Sequence, residues 1–124
     1  MSFALEFHDS EVRDVVAGGG EVCIRFAAAS ARNSNGERGW LPSVTLALSD
    51  ATLAGDTAHA FGKLAEGRLR HEGRDIGRPA IPLALAGEIE LTLRFANGTQ
   101  LTAHSRSLAL SAVDSARFAD DLSC

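Results

Sequence analysis

Tyrosine is absent from this chain, and tryptophan, methionine and lysine each occur once. The six phenylalanines fall mostly at inward-reading positions, so no row of exposed aromatics is left for stacking bases. Basic residues number 12 against 16 acidic ones, a formal net charge of −4. That balance argues against nucleic-acid binding, where phosphate neutralisation supplies most of the affinity. Cysteine occurs twice, at Cys23 and Cys124. A small disulfide-built domain typically shows about four or more, at organised spacing. No stretch approaches the roughly 18 apolar residues of a membrane-spanning helix. Met1 to Glu11 has neither the basic start nor the apolar run of a signal peptide. A cytoplasmic protein is expected, with no nucleic-acid or membrane partner. The arginine bias and the alanine and glycine content suggest a GC-rich bacterial genome.

What is present is a globular composition, 45% hydrophobic and 23% charged, at a length of 124 residues. One domain spanning 1–124 is expected, large enough to bury a core without staples. Its strongest pattern is period-two alternation, which sends successive side chains to opposite faces of a strand. Phe3, Leu5 and Phe7 alternate with smaller or polar residues, as do Val22, Ile24 and Phe26. Val44, Leu46 and Leu48 do the same, and so do Ile89, Leu91, Leu93 and Phe95. Each run reads as a half-buried antiparallel strand.

Asn97-Gly98 marks a hairpin. A two-residue loop would set the apolar sides of the two strands on opposite faces. A three-residue loop, Ala96-Asn97-Gly98, sets Leu93 opposite Leu101 and Leu91 opposite Ala103. Burial selects that register, with Gly98 in the left-handed position of a bulged turn. Gly18-Gly19-Gly20 reads as a second hairpin or a flexible connection. It is not a dinucleotide fingerprint, since Cys23 holds the third glycine's place. Ala29 to Gly39 is expected to be the longest loop. Leu69, Leu83 with Leu85, and Leu108 with Leu110 suggest further short strands, and Pro82 confines its strand to an edge or bulge. From Asp114 to Leu122 the spacing allows one short helix. The fold expected is therefore all-β: an antiparallel sandwich or small barrel of roughly eight to ten strands with that one C-terminal helix.

The polar cluster His8-Asp9-Ser10-Glu11 follows the first strand directly. A histidine beside acids can act as a general base or a metal ligand. Turn chemistry explains the same residues, with Asp9 and Ser10 bonding local amides. His59, His71 and His104 form no metal-ligand spacing with one another or with a cysteine. No nucleophile elbow or phosphate loop is present. Nothing calls for a cofactor, a metal or a catalytic residue. Trp40 reads as a residue closing one end of the core, or else as an interface anchor. The binding residues expected are His8, Asp9, Arg38 and Trp40.

The stretch Leu5-Glu6-Phe7-His8-Asp9-Ser10 resembles an L-x-F-H-D-S pattern of small uncharacterised bacterial proteins. Some of these are grouped with immunity proteins of bacterial toxin systems. The resemblance implies a non-enzymatic role and carries over no catalytic residue. The leading expectation is a protein-interaction module, immunity-like or an adaptor, with a protein partner or a second copy of itself. The alternatives are a β-barrel or sandwich binding a small molecule, and a hydrolase-type enzyme using His8, Asp9 and a distant partner such as His104.

Overall fold

The computed structural model describes residues 3–112. Ten strands follow one another along the chain: β1 (Phe3–Gly18), β2 (Glu21–Arg32), β3 (Arg38–Leu41), β4 (Val44–Ser49), β5 (Thr52–Gly55), β6 (Gly62–His71), β7 (Arg74–Ile76), β8 (Ala80–Ile81), β9 (Leu83–Phe95) and β10 (Gln100–Ala112). A single 3-10 turn, Thr57–His59, lies before β6. The helix expected over 114–122 lies outside the described residues.

Six strands close into an antiparallel barrel in the order β1-β2-β4-β10-β9-β6 and back to β1. The remaining four are additions: β3 on β2, β5 on β10, β7 on β6 and β8 on β1. The fold is thus all-β and a barrel rather than a sandwich. Every alternating run of the sequence is one of its staves, with the bulky residues inside. Phe26, Phe95, Leu5, Ile24, Leu46 and Leu91 all lie among the most deeply buried side chains. A barrel of about eight strands is just wide enough for side chains to fill. Six strands enclose less, and the core is one continuous cluster.

The hairpin register follows burial as argued, with Leu93 paired to Leu101 and Leu91 to Ala103. The Phe95 amide donates to the Thr99 carbonyl, and Gly98 takes a φ of 94°. The triglycine is the other hairpin, with Gly18 paired to Glu21 and Gly19 and Gly20 both at positive φ. Pro82 falls between β8 and β9, outside both ladders.

The expectation of a long loop fails. Ala29 to Gly39 is mostly strand, not loop: β2 runs to Arg32 and β3 begins at Arg38. Ala28 to Ala31 are all buried, Ala29 and Ala31 completely. Small side chains pack there without the alternation of bulky residues that reveals a strand. The true turn is Asn33 to Glu37, with Gly36 at a φ of 81°.

The closing seam of the barrel shapes the functional surface. Only Glu11–Lys63 and Val12–Gly62 pair β1 with β6. Beyond them the strands part. Phe7 covers the opening, its ring lying directly on Gly67 of β6. Further along, Phe3 and Ala4 pair with β8, and the Leu5 amide donates to the Pro79 carbonyl at 2.8 Å.

Candidate functional site

Where the seam opens, β1 bulges. Its pairing with β2 jumps from Glu6–Ser30 to Glu11–Ala28, so four residues of β1 oppose one of β2. Before the bulge Phe3, Leu5 and Phe7 face inward; after it Ser10 and Val12 do. The parity switch needs an unusual backbone, and Asp9 supplies it with a φ of 73°. Aspartate is among the non-glycine residues that tolerate that region best. Ser10 then points inward, fully buried. Its hydroxyl donates to the Glu6 carbonyl at 2.6 Å and accepts the Ser30 amide at 2.9 Å. The side chain thereby replaces ladder bonds that the bulge interrupts. His8 is thrown outward, and its Nδ1–H donates across the seam to the Ala65 carbonyl at 2.9 Å.

The bulge carries two carboxylates into a ring of cations. Asp9 lies 3.0 Å from Lys63 Nζ and 3.0 Å from Arg38, with His8 Nε2 at 3.5 Å. Glu6 lies 3.1 Å from Arg32, 3.4 Å from Arg78 and 3.5 Å from Arg38. Arg38 also donates through Nε to the Ser30 hydroxyl at 3.0 Å, and its guanidinium carbon sits 5.9 Å from the centre of the Trp40 ring. Four permanent cations thus meet two carboxylates, an inversion of the sign of the whole chain. Isolated surface pairs of this kind contribute little, but a network with shared partners orders its members. Beside it opens a cleft of about 560 Å³ lined by Asp9, Glu11, Arg38, Gly39, Trp40 and Lys63.

All four binding residues read from the sequence therefore lie together: His8, Arg38 and Trp40 cluster about Asp9. Trp40 does not close the core. It is half-buried and outward-facing on β3, while its neighbour Leu41 points in. The sequence reading missed Glu6, Arg32, Lys63 and Arg78, which come from four separate places in the chain and meet only through strand pairing. It also placed Ser10 in a local turn, whereas Ser10 holds two strands. No family model, curated protein or solved structure matches this chain.

The groups named for the hydrolase reading are not brought together. The Ser10 hydroxyl beside His8 is buried with its proton engaged. His104 belongs to β10, three staves from β1 in either direction round the barrel, so the two histidines stand on opposite walls. There His104 and Arg70 flank Glu90 at 3.8 and 4.0 Å, too far for direct hydrogen bonds.

Asp9 is held below its ordinary pKa of 3.8, first by the hydrogen bond from Lys63 and then by that from Arg38. A carboxyl whose pKa is depressed on folding stabilises the fold above the ordinary value and loses that contribution as pH falls through the folded one. Asp9→Asn keeps a residue suited to left-handed backbone and removes the charge. The variant is expected to show a smaller fall in melting temperature on acidification below 3.8 than the wild type. Asp14 and Asp56, lowered by Arg25 and His59, retain their own share of the acid sensitivity. Melting curves across that range check this, and identical acid profiles would refute it.

Proposed function

We propose that this chain is a non-enzymatic protein-interaction module that recognises its partner through the outer face formed by β1, β2 and β3. The observation that carries the reading is the Arg38–Trp40 pair, held outside the core on a surface strand and anchored to the Asp9 network. Tryptophan and arginine are the residues most enriched among energetic anchors of interfaces. Immunity-like and adaptor roles both need such a surface and no catalytic group. Binding of a small molecule inside the barrel has less support, because a six-stranded interior is already occupied by its own side chains.

The test is comparative. Wild-type protein and an Arg38→Ala/Trp40→Ala variant are immobilised and exposed to native lysate of the source organism. The two substitutions lie outside the core, so both proteins should give the same circular dichroism. A partner retained by the wild type and lost by the variant is expected. Retention of nothing, or equal retention by both, would overturn the reading.

A further inference from the structure

The sequence holds two Asn-Gly pairs, Asn35-Gly36 and Asn97-Gly98, and the fold places both in the same kind of turn. At Asn33–Glu37 and at Phe95–Thr99 the first amide donates to the last carbonyl, at 2.9 and 2.8 Å. In each, the glycine amide donates to the first carbonyl at 3.0 Å. Gly36 and Gly98 both take a positive φ, 81° and 94°. Both asparagines are exposed, so access to water does not separate them. Asparagine is a thermolabile residue. Before a glycine it is most open to cyclisation, since no Cβ hinders attack by the glycine amide nitrogen.

The two carboxamides are held differently. Asn97 Oδ1 accepts the Thr99 amide at 2.9 Å, and Asn97 Nδ2 donates to the His59 carbonyl at 3.0 Å. The side chain is thereby pinned at both ends. In the other turn the corresponding amide, that of Glu37, donates to Asn33 Oδ1 at 3.0 Å. The same oxygen accepts the Asn35 amide at 2.9 Å, and Asn33 Nδ2 donates to Glu37 Oε1 at 3.0 Å. Asn33 thus takes the place that Asn97 fills with its own side chain. The Asn35 carboxamide has no hydrogen-bond partner among the described residues.

We propose that Asn35 is a site of spontaneous deamidation, and that Asn97, in the same dipeptide and the same turn, is protected by its two side-chain bonds. The Gly36 amide gives its proton to water, and its nitrogen bonds to Cγ of Asn35. The Cγ–Nδ2 bond breaks, and the leaving nitrogen takes up a proton and departs as ammonia. A cyclic imide remains. Water opens it at either carbonyl, giving aspartate, or isoaspartate with the main chain rerouted through the side chain. Either product adds a negative charge to a chain of net charge −4. Attack in both turns requires the glycine N–H to leave its carbonyl. At Asn97 the carboxamide must also surrender two bonds before Cγ can swing onto the nitrogen. Two ordinary hydrogen bonds added to a barrier slow a reaction by at least about tenfold.

The modification falls on the link between two arginines that share Glu6. Arg32 and Arg38 lie 3.1 and 3.5 Å from that carboxylate, and Arg32 Nη1 donates to the Gly36 carbonyl at 3.0 Å. Isoaspartate adds a further carbon to the main chain between them. The chemistry needs no partner, so it stands or falls apart from the interaction-module reading.

The test ages the wild-type protein at neutral pH and body temperature. Samples are digested in acid, where the reaction is slow, and mapped by mass spectrometry, with isoaspartate counted by an isoaspartyl methyltransferase. Conversion is expected at Asn35 at least about tenfold faster than at Asn97. In the same chain unfolded in urea the two should convert at similar rates, which assigns the difference to the fold. Asn35→Ser should remove the early acidic product and keep the wild-type circular dichroism, while Asn97→Ser should leave the rate at Asn35 as it was. Equal rates in the folded protein, faster conversion at Asn97, or an early acidic product that persists in Asn35→Ser would overturn the proposal. So would an intact Asn35 after a time in which the unfolded chain is converted.

Discussion

Truncating Phe7 to alanine is expected to destabilise the protein by about 3–5 kcal/mol, the usual cost of emptying a buried phenylalanine site. Phe7 is only 4% exposed, yet it lies where the ladder between β1 and β6 stops. Its ring substitutes for hydrogen bonds between β1 and β6. Gly67 is the other half of the arrangement. A methyl group added there would meet Cβ and Cγ of Phe7 at 2.6 Å, although the backbone at Gly67 is not in the left-handed region. Gly67→Ala is therefore expected to cost about 1–3 kcal/mol through overpacking alone. The decisive measurement is the double-mutant cycle by urea unfolding. With Phe7 already alanine, the contacts with the ring are gone but the Cβ of residue 7 remains at 2.6 Å, so the cost of Gly67→Ala should shrink without vanishing. A Gly67→Ala penalty of the same size in both backgrounds would show that the ring does not depend on the glycine.

That seam also marks how far the sequence could be read. Alternation of bulky and small residues identified the staves, because a half-buried strand leaves no other pattern. Burial chose the Phe95–Thr99 turn, because the apolar sides of two long strands had to agree. The same Asn-Gly dipeptide stands at Asn35-Gly36, and the same turn bonds form there. It went unread because its flanking strands carry alanine, serine and arginine, so burial gave no periodic mark. Closure was harder still. A sandwich and a barrel contain the same staves, and the pairing that decides between them joins Glu11 and Val12 to Lys63 and Gly62. Those residues show no alternation, and their position is set by the bulges on either side of them.

The site divides in a similar way. His8, Asp9, Arg38 and Trp40 were legible because polar residues interrupt an apolar strand, or because a lone tryptophan needs a reason. Their partners were not. Lys63 reaches Asp9 only because β6 closes the barrel, and Arg78 reaches Glu6 only because β8 lies beside β1. Each is an ordinary surface cation until the fold is known. Trp40 misled for a physical reason as well. A large aromatic beside a strand usually turns inward, but here Leu41 takes the inward place and the alternation sends Trp40 out.

Ser10→Ala separates a site held by its scaffold from one held by its own charges. The substitution removes the one oxygen that bonds both the Ser30 amide and the Glu6 carbonyl. Both groups lie around a residue that is fully buried, so water does not take over. A buried polar group that loses its partner costs about 1–3 kcal/mol, and a loss in that range is expected. The effect should be local as well as global. Exchange of the Ser30 amide should quicken by more than the change in overall stability explains, because the hydroxyl it donates to is gone. Asp9 should lose part of its alignment with Arg38 and Lys63, since the bulge that aims it is secured at Ser10. In Ser10→Ala the acid sensitivity contributed by Asp9 should accordingly shrink toward that of Asp9→Asn. If Ser10→Ala retains wild-type stability and the full acid profile, the cation network alone holds the bulge, and the hydroxyl is incidental to it.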